Sequence, residues 1–145
     1  MKRIIALLCA LMLCLAGMAA SAEMASEGGE DMQMMIGETP VTVAWEDNAS
    51  VEALKALAAE GLTIEMSMYG GFEQVGTIGQ SLPRDDQQTT TASGDIVLYS
   101  GDQLVVFYGS NSWAYTRLGH ITDQTPEQMK ALLGNGDVTV TLSMK

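Results

Sequence analysis

Cysteine is nearly missing from this chain. The 145 residues hold two, Cys9 and Cys14, both inside an apolar stretch near the N-terminus. Past that stretch no thiol can close a disulfide, act as a nucleophile or hold a metal. Histidine is as scarce, with His120 standing alone. Zinc centres need several His or Cys ligands, so a centre of that kind is excluded. Positive charge is thin as well: seven Lys and Arg face eighteen Asp and Glu, a formal charge of −11. Such a surface repels nucleic acid and anionic lipid and favours cationic or neutral partners. Also lacking are a Gly-x-Ser-x-Gly nucleophile elbow and a Gly-rich phosphate loop with its Lys. Gly70-Gly71 has no surrounding dinucleotide fingerprint. Asp85-Asp86 and Asp102 match no calcium loop and read as solvated acids.

What is present begins with a three-part leader. Lys2 and Arg3 form a basic start, Ile4 to Leu15 is almost wholly apolar, and Ala20-Ser21-Ala22 is a small-x-small triplet. This is the layout of a secretory signal cleaved after Ala22. The apolar run falls short of the roughly 20 residues of a bilayer span; an uncleaved anchor is the other reading. Cleavage leaves 23–145, a secreted, periplasmic or otherwise extracytoplasmic chain that does not touch the membrane. Losing Lys2 and Arg3 leaves five basic side chains against eighteen acidic ones, about −13. Roughly 120 residues suffice for one core without staples. Residues 23–32 are rich in Glu, Gly, Ser and Ala and read as a flexible acidic tether. The domain proper is expected over 33–145.

Within it, period-two burial dominates. Gln33 to Trp45 reads as a hairpin, with Pro40 at an edge. Asp47-Asn48 offers a cap to a helix over Ser50 to Ala59, which carries Val51, Leu54, Leu57 and Ala58 near one face. Gly61 closes that helix in a left-handed conformation. Leu62, Ile64, Met66 and Met68 alternate with polar residues, as in a half-buried strand. Phe72 to Gln88 is irregular and reads as a long surface loop, with strand pieces near Val75 to Ile78. A strand follows at Thr89 to Ala92. Ile96 to Tyr99 and Leu104 to Tyr108 make a hairpin, and the second is an unbroken β-branched and aromatic run expected to be covered on both sides. Trp113 to Ile121 is another strand. Thr125-Pro126-Glu127-Gln128 is a capping-box helix start, with Met129, Leu132 and Leu133 buried. Val138 to Leu142 is the last strand. The order predicts a mainly β protein: an antiparallel barrel closed around one apolar interior, with two short α-helices at its ends.

The run Gly94-Asp95-Ile96-Val97-Leu98-Tyr99, then Leu104 to Tyr108, then Tyr115-Thr116-Arg117-Leu118-Gly119, resembles the bacterial cyclophilin-like fold domains. Leu132-Leu133-Gly134-Asn135-Gly136 with Val138 to Leu142, Asp47-Asn48 and Leu82-Pro83 fit the same pattern, over roughly Gln33 to Met144. The resemblance implies a cyclophilin-type barrel in a group mostly without an assigned activity. It also brings prolyl isomerisation into question, since true cyclophilins use an arginine beside a groove of Phe, Met, Gln and His. The stretch with Phe, Met and Gln that follows that arginine is absent here. Arg84 sits beside Asp85 and Asp86, and Arg117 lies inside a strand.

No catalytic set assembles from these residues. His120 lacks an obvious orienting group beyond Asp123. Tyr108, Trp113, Tyr115 and Arg117 are the candidate ligand-binding residues, since aromatic rings and arginine anchor recognition sites. Trp113, Tyr115 and Arg117 fall on one face of a strand. If that face were buried, Arg117 would require a carboxylate such as Asp95. No cofactor and no metal is expected. The leading function is binding of a small molecule or peptide. An altered prolyl isomerase is one alternative. Cu(I) binding by Met24, Met32, Met34 and Met35 is another, the thioether being a soft ligand.

Overall fold

The computed structural model describes residues 31–145, and Met32–Met144 form a single compact unit. The leader, its cleavage point at Ala22 and nearly all of the tether lie outside the described residues. Met32 corrects the tether's end: it opens the first strand opposite Met144 and is buried. No helix among the described residues is long and apolar enough to cross a membrane.

Two antiparallel sheets carry the fold. The first has four strands, β1 (Met32–Ile36), β2 (Thr39–Val41), β4 (Leu62–Glu65) and β11 (Thr139–Met144), in the order β2-β1-β11-β4. The second runs β3-β10-β8-β9-β6-β5. Its members are β3 (Val43–Trp45), β5 (Ser67–Tyr69), β6 (Glu73–Thr77), β8 (Asp95–Tyr99), β9 (Gln103–Phe107) and β10 (Ser112–Ile121). A further strand, β7 (Gln87–Thr90), pairs with the first half of β10. The mainly β expectation with two helices is met. The hydrogen-bonded ladders, however, form two sheets rather than one closed round. β11 accordingly lies in the opposite sheet from β8 and β9, whereas the sequence pattern had grouped them; what they share is the interior.

Sheet membership changes at two corners. β2 and β3 are one extended stretch interrupted at Thr42, and β4 and β5 one stretch interrupted at Met66. In each, the first half pairs in one sheet and the second in the other, a device by which packed sheets share corner strands. At Met66 the ladder is replaced by a bond from its N–H to the Val138 carbonyl, 2.8 Å. Ile64 and Met66 point inward, but past the corner Met68 is 37% exposed, against the alternation that placed it inside.

Local chemistry sets the helices where the sequence indicated. α1 (Ala49–Ala58) is capped by Asn48, whose Oδ1 accepts the Val51 N–H at 2.9 Å. Gly61, at φ +82, follows its end. α2 (Pro126–Leu133) has Pro at its start and a complete capping box between Thr125 and Gln128. Val51, Leu54, Met129 and Leu133 seat these helices against an interior that joins Met34, Ile36, Ile96, Leu98, Leu104, Val106, Val140 and Leu142.

The main correction is at Phe72 to Gln88. Residues 73–77 of the expected loop are β6, hydrogen-bonded between β5 and β9 and set slightly before the strand pieces expected near Val75 to Ile78. Its sequence, Glu-Gln-Val-Gly-Thr, is too polar to announce a buried strand. Gln74 nevertheless lies fully inside, where its Nε2 donates to the Leu133 and Gly136 carbonyls at 2.8 and 2.7 Å. It thereby satisfies the carbonyl of the last residue of α2 and one in the loop that follows. Residues 78–86 do lack regular structure, yet they send Ile78 and Leu82 into the core, and β7 begins at Gln87.

Gly76 is the tightest point of this packing. A Cβ there would overlap the Glu65 carbonyl oxygen and lie 2.7 Å from Ile64 Cγ2 and 2.8 Å from Met66 Sδ. The backbones of β4 and β6 approach too closely for any side chain. Gly76→Ala is therefore expected to destabilise by about 3 kcal/mol through overpacking, read as a drop in the urea midpoint. An unchanged midpoint would show that β6 does not cross β4 this closely.

Candidate functional site

β8 and β9 are apolar on both sides. Ile96, Leu98, Leu104 and Val106 face the interior, while Val97, Val105, Phe107 and Tyr115 form a second cluster on the opposite, outer face of the sheet. Phe72 and Val75 pack against that outer cluster. Phe107 and Tyr115 meet edge to face at 5.7 Å, and Tyr115 and Tyr99 likewise at 6.2 Å.

Above this outer cluster lies a cavity of about 400 Å³, within the size range of small-molecule sites. Its aromatic walls are Tyr69, Tyr99, Trp113 and Tyr115, and its polar groups are Glu73, Gln103 and Asn111. Four strands of one sheet, β5, β6, β8 and β10, supply the rings and the acid. Five large apolar or aromatic side chains of the described residues are exposed, and three of them, Tyr69 (63%), Tyr99 (38%) and Trp113 (56%), line this one cavity. Exposed apolar surface concentrated at one place marks a binding site more often than scattered residues do. Asn111 Nδ2 donates to the Tyr115 hydroxyl at 2.8 Å, which fixes the ring's tip.

Glu73 forms part of the lining and is only 7% exposed. Across its own ladder it faces Tyr69 on one side and Phe107 on the other, neither of which can offer it a charge. Among the described residues no ion pair reaches it. Burial alone pushes its carboxyl up to about 7. Burial also raises the Tyr115 hydroxyl; the Asn111 bond opposes that rise and the charge of Glu73 adds to it.

The four residues singled out from the sequence separate. Trp113 and Tyr115 come together in the cavity, as their alternation required. Arg117 shares their strand face but lies apart, beside a second, polar cavity of about 320 Å³ that Tyr115 also borders. Tyr108 is not brought to the site: one residue past Phe107, it turns to the other side of the sheet and packs, half-buried, on the main core. Sequence reasoning missed Tyr69, Glu73, Tyr99, Gln103 and Asn111. Tyr99 alone had a signal, since it ends an apolar strand on the same parity as Val97.

Arg117 does find Asp95, at 3.4 Å. Asp95 is 5% exposed and has two further partners, the Ala92 N–H at 2.8 Å and His120 Nδ1 at 2.8 Å. The group beside His120 is thus Asp95, while Asp123 accepts the Thr42 N–H at 3.0 Å. That bond, above all, holds the Asp123 carboxyl below its usual range. No nucleophile joins His120 and Asp95 in these contacts. Arg84 Nε pairs with Asp86 at 3.1 Å, as their adjacency suggested. The methionines do not converge: Met32 and Met34 point into the core, Met35 lies on the opposite face of β1, and Met24 falls outside the described residues. No group of three or more His, Cys, Asp and Glu able to hold a metal occurs among the described residues.

The two buried acids of this face are expected to behave oppositely. The unfolded chain sheds the Glu73 proton near pH 4.5, the folded one only near pH 7. Between those values the unfolded state binds fewer protons, so Glu73 makes stability fall as pH rises. The full loss above pH 7 is on the order of 3 kcal/mol at 1.36 kcal/mol per pKa unit. Glu73→Gln should therefore match the parent at pH 4.5 and exceed it at pH 8. Asp95→Ala should instead lower stability by about 2 kcal/mol, because it strands partners that the carboxylate satisfies. Urea denaturation at the two pH values reads both; a Glu73→Gln protein less stable at pH 8 would overturn the assignment of Glu73 as unpaired.

A family model for the cyclophilin-like family matches residues 34–143. No match was found among curated proteins or among solved structures. The matched span takes in both sheets, both helices and every residue of the outer cavity, and on that extent the chain belongs to the cyclophilin-like family.

Proposed function

We propose that this chain is an exported binding module that takes a small molecule or a short peptide segment into the outer-face cavity and does not isomerise prolyl bonds. The observation that carries the reading is the convergence of three exposed rings, Tyr69, Tyr99 and Trp113, on one concavity that Tyr115 of the outer apolar cluster also lines. Rigid aromatic walls on strands give a ligand contact area at low conformational cost. Export is supported by Lys2-Arg3, the apolar run and Ala20-Ser21-Ala22. Closure into one barrel is supported by the two corner stretches, 39–45 and 62–69, each of which pairs in both sheets.

Family membership alone assigns no activity. The isomerase alternative needs a free arginine beside the ligand. Arg117 is engaged with Asp95 and borders the other cavity, and Arg84 is engaged with Asp86. The Cu(I) alternative needs thioethers on one side of the chain, and β1 splits them between two.

Ligand-observed NMR with indole, p-cresol, N-acetylproline amide and choline tests the binding reading. At least one should bind the full chain and weaken about tenfold, some 1.4 kcal/mol, in Trp113→Ala, while an Ala-Pro peptide isomerises at its uncatalysed rate. Affinity indifferent to Trp113→Ala would remove the cavity as the site. Accelerated isomerisation abolished by Arg117→Ala would establish the enzyme instead.

A further inference from the structure

We propose that the cavity selects an organic cation, an alkylammonium or quaternary ammonium group held among Tyr69, Tyr99 and Trp113 with the Glu73 carboxylate beside it. This rests on the binding reading and names the ligand class for the same site. Tyrosine and tryptophan faces carry negative potential, and clusters of them attract ammonium groups. Here the rings surround an acid that is 93% buried and has no cation of its own among the described residues. The other polar lining groups, Gln103 and Asn111, are neutral, and the lining contains no Lys, Arg or His.

Other ligand charges fare worse. An anion would meet Glu73 and a strongly acidic chain, net −11, with no counter-charge in the cavity. A neutral apolar ligand would cover the carboxyl further from water and give it nothing in return, which disfavours its ionised form. A bare metal ion prefers several oxygen ligands, and Glu73 is the single carboxylate of the lining. An organic ammonium fits both parts of the site: its charge meets the acid, and its methyl or methylene groups meet the rings.

Such a group can come from a free amine or from a lysine side chain of a peptide, and titration calorimetry at pH 8 on the full chain separates them. One arm compares choline with its uncharged isostere 3,3-dimethyl-1-butanol. The other compares a lysine-containing tripeptide, blocked at both ends, with its norleucine counterpart. Each ammonium should bind at least tenfold more tightly than its neutral partner. Glu73→Gln should abolish that preference, and Trp113→Ala should weaken the ammonium about tenfold; urea midpoints verify that both variants fold. Tighter binding of choline identifies a free amine, tighter binding of the lysine peptide a side chain. Equal binding of charged and neutral partners, or a preference untouched by Glu73→Gln, overturns the cation while leaving a binding cavity. Silence from every probe, here and in the NMR set, overturns both.

Discussion

Burial of the β8–β9 hairpin on both of its faces is the constraint on which the rest depends. Its inner residues complete the core that receives both helices, and its outer residues, Val97, Val105 and Phe107, pack with Tyr115 and Val75, which line the cavity. A strand that is apolar on both sides carries no alternation to fix its register, because a one-residue slip exchanges one apolar face for another. The register is set instead by the turn. Ser100 at φ +57 and Gly101 at φ +79 adopt consecutive left-handed conformations, which aligns Tyr99 with Gln103. Hairpin turns of this hand match the strand twist. A slip there would move Tyr99 off the cavity wall and into the core, so the site's geometry is tied to two residues outside it.

Much of this was legible because it is local. Asn48, Gly61 and the Thr125–Gln128 box are start and stop signals that act within four residues, and each does what its chemistry dictates. The unbroken run in β9 correctly indicated two covered faces. What was legible only in part, or not at all, is non-local. β6 is a strand because β5 and β9 hold it on both edges, not because Glu-Gln-Val-Gly-Thr favours one. The two corners failed for a similar reason. Nothing at Thr42 or Met66 marks the change of sheet; it comes from a bond to Asp123 at one and to Val138 at the other.

The site divides along the same line. Trp113 and Tyr115 could be placed together by period two within one strand. Beyond them, the ladder of β10 against β8 shifts register between Arg117 and Gly119, with Leu118 as the extra residue. Such a bulge re-aims the side chains around it. It lies just where the strand leaves the aromatic wall and enters the polar neighbourhood of Asp95. Tyr69 and Glu73 reach the cavity through the β5–β6 hairpin, whose turn uses Gly70 and Gly71 at φ +68 and +75. Nothing local to that glycine pair reveals the destination of the residues around it.

Asp95 and Glu73 let the two roles on this sheet face be told apart. Both are acids with little exposure, 5% and 7%. Asp95 has a backbone N–H, a guanidinium and an imidazole, so its charge is accounted for within the fold. Its contribution is structural, tying β8 to the bulged part of β10. Glu73 has rings about it and no cation, so its ionised form costs stability above neutral pH without any return inside the described chain. Glutamine would fill nearly the same space at no such cost. A sequence that departs from its own rule for buried acids at one position, and keeps it at another on the same face, marks that position as the exception, and the proposed ligand would offset its cost. On that proposal, the aromatic walls and the acid together favour a ligand whose charge is positive and whose surface is carbon.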